Sequence, residues 1–407
     1  MGLCFVHVHD PNHAATLHRL VQSRLVRLVY LSLSEGAPPR FYPSRVTAAV
    51  DPLALGQRVV AILQTGRRTA TYKLATLMAL IDHCVEHLPD DPRAPLVVPI
   101  RELAERVLEI YWFQVLPFEG DELRQSTQPR AVILRETVRL RTASDVGDRH
   151  VAVAVAHLRA PADYETAVTA ITLTLARQPL HRLQRTGAGT SPTFLYDDSW
   201  MQDKLTPAQL AAHGGAIELY PGVAWSLARL SGLLKPALEL LWVDDVRRWN
   251  KGLVAHIPDI AGHLFGRDRV SLAPARAAFL DTFGARCFYC GAAVGKSAPV
   301  DHVLPWSRVG IDGLANLVVA CAACNTNKGQ TLPATRIVER VVTRDRGLME
   351  RMATELGWPT QLDRVVAAAR GLYRGQPPGT PLWSAVGQVA PVDLAWTSGW
   401  LLDLAGA

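Results

Sequence analysis

Two Cys-x-x-Cys pairs, Cys287-Phe-Tyr-Cys290 and Cys321-Ala-Ala-Cys324, stand about thirty residues apart in this 407-residue chain. Four thiolates on two tight knuckles suit a tetrahedral zinc ion, whose softness favours sulfur where magnesium and calcium favour oxygen. A closed shell of four cysteines has no open position, so this zinc is expected to be structural. Gly291 follows the first pair, where a knuckle turn commonly needs a positive φ. The chain has only six cysteines, few for its length, and their spacing points to a metal site rather than a disulfide framework. Cys84 lies in an apolar helical run and is expected to be an inert core thiol, while Cys4 stands alone.

Between the pairs lie Val300-Asp301-His302-Val303-Leu304-Pro305-Trp306-Ser307-Arg308 and Asp312-Gly313-Leu314-Ala315-Asn316-Leu317-Val318-Val319. Two short apolar runs around a glycine-containing loop predict two strands. The residues after Cys324 (NTNKGQTLP) predict a short helix that Pro333 stops. The expected local fold is β-β-α with a metal staple across it. An isolated Asp-His pair is an ordinary surface feature. What raises this one is its place inside the zinc frame, with Asn316 before the second strand and Asn325 opening the helix.

The run CFYCG…VDHVLPWSR…DGLANLVVACAACNTNKG closely resembles the HNH endonuclease family, whose fold is the ββα-metal finger. The resemblance covers about 50 residues, an eighth of the chain. It places the family's first His at His302, its central Asn at Asn316 and its third position at Asn325. Many members carry His at that third position, so this chain is an HNN variant.

Phosphodiester hydrolysis needs a deprotonated water in line with the leaving oxygen and a cation to neutralise the developing charge. His302, titrating near neutrality when unperturbed, suits the general base. Asp301 points to the opposite strand face and is available for a divalent ion. The resemblance implies Asn325 as the second protein ligand. A sparse oxygen shell suits catalytic Mg2+ or Mn2+ beside the structural Zn2+. Asn316 is expected to brace the loop or orient His302. Arg308 and Lys328 are candidate phosphate contacts, weighed against ordinary surface residues. His256 and His263 show no ligand spacing.

The rest of the chain must position this module, and it reads as mainly α. Residues 1–54 form a basic, irregular segment, with five arginines against one glutamate between Arg19 and Arg45. A nucleic-acid arm is one reading and a solvated terminus the other. Residues 55–185 predict a helical domain for DNA or partner recognition. Thr71–Leu88 is its buried helix, Ile100–Phe113 a striped helix and Arg130–Arg141 an arginine-bearing one. Val151–His157 alternates like a strand. Tyr111, Trp112 and Phe113 could stack bases but sit on a core stripe. Arg124 to Arg141 offers a backbone-contacting face, with a solvated helix as the alternative.

TGAGTSPT (186–193) reads as a turn or linker, and no Lys-Ser/Thr follows it to make a phosphate loop. A helical connector is expected over 194–282, the nuclease module over 283–333, and a helical segment over 334–407. That last segment comprises Ile337–Leu356, Leu362–Tyr373 and a tryptophan-bearing tail.

Net charge is +6 with 37 acidic residues, permitting a polyanionic partner without requiring one. No uninterrupted apolar stretch is long enough to span a bilayer, and the start lacks a secretory pattern, so a cytoplasmic, bacterial setting is expected. No small-molecule cofactor motif is present. Two functions follow: an endonuclease cutting DNA, double-stranded by expectation, or a catalytically silent zinc-stapled nucleic-acid-binding protein. The intact Asp301/His302/Asn316/Asn325 set favours the first. The layout is similar to bacterial restriction or anti-phage nucleases, in which a protein partner could supply targeting.

Overall fold

A computed structural model describes residues 51–65, 68–118, 120–127, 131–147, 151–185, 193–254, 260–265 and 271–392. The basic arm up to residue 50, Arg130, the turn at 186–192, His256 and the tail beyond 392 lie outside the described residues. The described helices are α1 (Pro52–Thr65), α2 (Tyr72–Glu86), α3 (Ile100–Gln114), α4 (Val132–Ala143), α5 (Val153–Arg159), α6 (Pro161–Leu175), α7 (Pro207–Ala212) and α8 (Val223–Trp249). They continue as α9 (Lys251–Val254), α10 (Ile260–Phe265), α11 (Ala273–Phe283), α12 (Trp306–Val309), α13 (Ala322–Lys328), α14 (Thr335–Val342), α15 (Arg346–Leu356) and α16 (Leu362–Arg374). Six short strands join them: β1 (Leu96–Pro99), β2 (Ala216–Leu219), β3 (Val300–His302), β4 (Leu317–Val319), β5 (Pro381–Ala385) and β6 (Gln388–Pro391). They pair antiparallel as β1-β2, β3-β4 and β5-β6. The protein is mainly helical.

Helix α2 is the axis. Its sequence is apolar on most faces, which demands neighbours on most faces, and every residue from Leu74 to Glu86 is buried. It packs against α3, against the long α8, and against α16 from the far end of the chain. Residues from 55–185 and from 194–264 contribute to one continuous core. Where α16 crosses the end of α2, Gly371 touches backbone directly: a Cβ there would lie 1.7 Å from the Val85 carbonyl oxygen. Any other residue at 371 would force the helices apart.

Tyr111 and Trp112 are fully buried, so they are core residues rather than stacking platforms. Of the described arginines between 124 and 141, Arg124 and Arg135 are exposed, Arg139 is half-buried and Arg141 is buried. Arg141 donates to the carbonyls of Trp112 and Gly147, while Arg139 binds Glu136 and Asp163.

Three sequence expectations are corrected. Val151–His157 was expected to be a strand; it is the start of α5, Val153–Arg159. Its Val-Ala alternation tolerates a helix, because alanine is the best helix former. Ile337–Leu356 is two helices, since Asp345 caps α15 at Leu348 N while Arg344 turns inward. Residues 381–391 at the end of the closing segment form the β5-β6 hairpin, with Leu382 and Trp383 buried.

Candidate active site and zinc frame

The sulfurs of Cys287, Cys290, Cys321 and Cys324 lie within 4.8 Å of one another. Cys290 Sγ and Cys321 Sγ are 3.8 Å apart, and tetrahedral zinc with bonds of about 2.3 Å sets sulfurs about 3.8 Å apart. Both knuckles are backbone-built. Gly291, at φ 75°, donates to the Cys287 carbonyl, and Cys324 N donates to Cys321 Sγ at 3.4 Å. That N–H draws the Cys321 thiol down to about 7, while burial pushes Cys287 and Cys324 up. Packing four such groups together is costly for thiols alone and favourable around a dication. The donor set fits zinc.

The frame holds the β3-β4 pair in register Val300↔Val319, Asp301↔Val318 and His302↔Leu317. Asn316 is fully buried behind it. Its Oδ1 accepts from Leu304 N at 2.8 Å, and its Nδ2 donates to the carbonyls of Leu304 and Ile311. Asn316 thus ties the strand that carries His302 to the loop carrying Asp312. His302 Nε2 lies 2.7 Å from Asp312 Oδ1, and both side chains keep partial access to solvent. The Asp312 carbonyl accepts from Trp358 Nε1 at 2.8 Å, fixing the carboxylate's backbone. Arg344 holds the same loop from beneath by donating to the carbonyls of Leu314, Ala315 and Leu317. Burial lowers that guanidinium to about 10.

Asp301 Oδ2 accepts from Tyr289 Oη at 2.6 Å and from Lys328 Nζ at 3.0 Å. Lys328 also donates to the His302 carbonyl at 2.7 Å and is 1 % exposed. The expectation of Lys328 as an outward phosphate contact is corrected: its ammonium is sunk beneath β3, its charge met by Asp301. Asn325 lies one helical turn before Lys328 on α13 and is half-buried. Residues three apart share a helix face, so Asn325 stands on the side of α13 that addresses β3. Arg308 is half-buried against Gly232 of α8, with its guanidinium lowered by burial alone.

The structure therefore brings Asp301, His302 and Lys328 together, with Asn316 behind them. Asp312, Tyr289 and Trp358 were missed. Tyr289 sits inside the first Cys-x-x-Cys pair, which is the one cue that places it near the site. Nothing in the spacing marks Asp312 or Trp358. Of the lone histidines named from sequence, His263 packs on the Phe118 ring at 4.7 Å, away from any ligand cluster.

This arrangement is the site of an HNH endonuclease domain, and the HNH endonuclease family model matches residues 287–331. A second family model, a domain of unknown function (DUF8808), matches residues 53–260, just over half of the chain. The chain belongs to that family, and it joins the family's helical region to a nuclease domain. Comparison with curated proteins and with solved structures gave no match. No described helix is long and apolar enough to cross a membrane.

Proposed function

We propose that the protein is a metal-dependent endonuclease that hydrolyses DNA phosphodiester bonds, with His302 as general base. The observation that carries this is the His302–Asp312 contact at 2.7 Å, held inside the HNH frame beside Asp301. With the Asp312 carboxylate accepting Nε2–H, the imidazole keeps its Nδ1 lone pair for a proton of the attacking water. Asp312 also stabilises the imidazolium that forms. Asp301 and Asn325 would hold the divalent ion, and both are oxygen donors suited to Mg2+ or Mn2+. When bound, that ion supplies positive charge to the scissile phosphate and the leaving oxygen. Lys328 neutralises Asp301 from behind, and Asn316 keeps His302 in register. Arg308, with no carboxylate partner among the described residues, remains available for a phosphate oxygen.

The helical region is proposed to select the target or a protein partner, in a cytoplasmic bacterial setting of restriction or anti-phage defence. That role rests on layout alone. A second reading, a silent nucleic-acid binder, draws on the Lys328 ammonium seated on the Asp301 carboxylate, where it competes with a dication.

Plasmid cleavage separates the two. Purified protein is expected to nick or cut DNA with Mg2+ or Mn2+. His302→Ala should lose about 10²–10⁴-fold in rate while zinc content and circular dichroism stay unchanged. Undiminished cleavage by His302→Ala would overturn the mechanism, and an inactive wild-type protein that still binds DNA would favour the silent reading. Parallel assays on RNA and single-stranded DNA test the substrate.

A further inference from the structure

Far from the cysteines in sequence, helices α2 and α3 converge on three side chains with the donor set of a second metal site. His83 and His87 stand one turn apart on α2, which puts them on one face, and Glu102 enters from the first turn of α3. Their donor atoms all lie within 4.8 Å of one another. His83 Nδ1 is 3.3 Å from Glu102 Oε2, and His87 Nε2 is 3.9 Å from the same oxygen. Ligands at about 2.05 Å around a tetrahedral ion lie about 3.3 Å apart. One pair already has that spacing. The His83 and His87 rings lie stacked with centroids 4.1 Å apart, so His87, which is 46 % exposed, must swing out of that stack for its Nε2 to share the ion.

Two further observations point to a ligand. The His83 side chain is 2 % exposed, yet neither of its ring nitrogens has a hydrogen-bond partner. Buried imidazole nitrogens are ordinarily satisfied, and a metal would satisfy the one that faces Glu102. His87 is already set up as a ligand. Its Nδ1 lies 3.2 Å from the His83 carbonyl oxygen, so that nitrogen carries the proton and Nε2 presents a lone pair towards Glu102. Anchoring the remote N–H on a backbone carbonyl is the arrangement that fixes the tautomer of metal-bound histidines.

Carboxyl groups and two guanidinium groups surround the site. Glu86, Glu105 and Glu109 line the same cleft, and the cleft's two guanidinium groups, Arg106 and Arg364, are engaged by Glu86 and Glu109. All three proposed ligands fall within the helical region of the DUF8808 match.

We propose that His83, His87 and Glu102 bind a zinc-class first-row transition ion, with solvent in the fourth position. Two imidazoles and one carboxylate favour Zn2+, Co2+ or Ni2+ over Mg2+. The site gives the helical region a metal chemistry separate from the nuclease.

The test is metal content by mass spectrometry on full-length protein. The protein is equilibrated with Zn2+ in excess Mg2+, which keeps zinc off the oxygen ligands of the nuclease, and then desalted. Wild-type protein is expected to hold two equivalents of zinc. His87→Ala and Glu102→Gln alter partly exposed side chains that the fold tolerates, and each should hold one. In Co2+-loaded samples the sulfur-to-cobalt charge-transfer band should be unchanged by either variant, while the weaker visible absorption of a nitrogen–oxygen site disappears. One equivalent in the wild type, or two equivalents retained in the His87→Ala/Glu102→Gln double variant, would overturn the proposal.

Discussion

The nuclease site and the helical region organise their charges in opposite ways. Around His302, the charged side chains in contact, Asp301, Asp312 and Lys328, all come from residues 301–328, a stretch short enough to fold on one metal frame. Beneath α3, Glu86, Arg106, Glu109 and Arg364 form a network that joins residues up to 278 positions apart. Arg106 bonds Glu86, and Arg364 reaches Glu86 at 3.2 Å and Glu109 at 2.9 Å. The first set keeps a little access to solvent, with Asp301, His302 and Asp312 at 11–16 % exposure. The second runs from Glu86 at 1 % to Glu109 at 28 %, and it clamps α16 onto α2 and α3. Local charge gathers where the reaction is proposed, and distant charge serves assembly.

Metal removal should draw the sharpest line between them. Cys324→Ser, or strong chelation, should take away the zinc that the four cysteines are proposed to hold, of the kind worth about 10–16 kcal/mol of apparent binding energy in isolated fingers. Cleavage should vanish, and hydrogen exchange should show protection lost over 287–331 but kept along α2. Loss of protection throughout would mean that the two regions stand or fall as one cooperative unit.

Arg364→Ala attacks the distant network instead. Breaking one side of a buried ion pair costs about 3–5 kcal/mol, and Arg106 remains on Glu86, so the low end is expected in denaturant melts. The cost should vary with pH. Burial raises the Glu86 carboxyl from 4.5 to about 8. The folded protein therefore keeps a proton that the unfolded chain has released. That contribution is full below pH 4.5 and is lost as pH rises through 8. The Arg364→Ala penalty should stay level up to about pH 8 and grow above it, where Glu86 ionises and needs the guanidinium, and Glu86→Gln, which is never charged, should flatten the slope. A penalty independent of pH would show that Glu86 stays ionised throughout.

Asp312→Asn is the finest probe. Supporting partners of a catalytic group are typically worth about 10–100-fold, so kcat should fall by that factor with KM and melting temperature nearly unchanged. A lowered melting temperature with kcat unchanged would make Asp312 a loop fastener only.

These contrasts also explain what could be seen in the sequence. The cluster of four cysteines, the β3-β4 pair and the places of Asp301 and His302 on β3 and of Asn325 on α13 were legible because metal-ligand spacing and strand alternation are local signals. Asp312 was not, since its link to His302 depends on a loop conformation that Trp358 and Arg344 impose from outside the motif. Lys328 was misplaced because lysine is ordinarily a surface residue, and only the tertiary fold sinks its stem under β3. The spacing of His83 and His87 stood in plain view, but Glu102 joins them from another helix, and a pair of histidines alone says little. Val151–His157 shows the converse, a strand-like alternation overruled by a helical setting.

The contact of Gly371 with Val85 sets an order of events during synthesis. The end of α2 leaves the ribosome long before its covering helix exists. At about 5–20 residues per second, Val85 waits roughly a quarter of a minute to a minute for residue 371. Val85, Val303, Leu304, Ala368 and Leu372 belong to one shared apolar cluster, so the nuclease core is completed by the same late docking. Until then the half-made chain carries bare apolar surface on both α2 and the ββα unit. Helix α16 therefore completes this shared cluster, and a fully seated nuclease exists only in a chain translated through it.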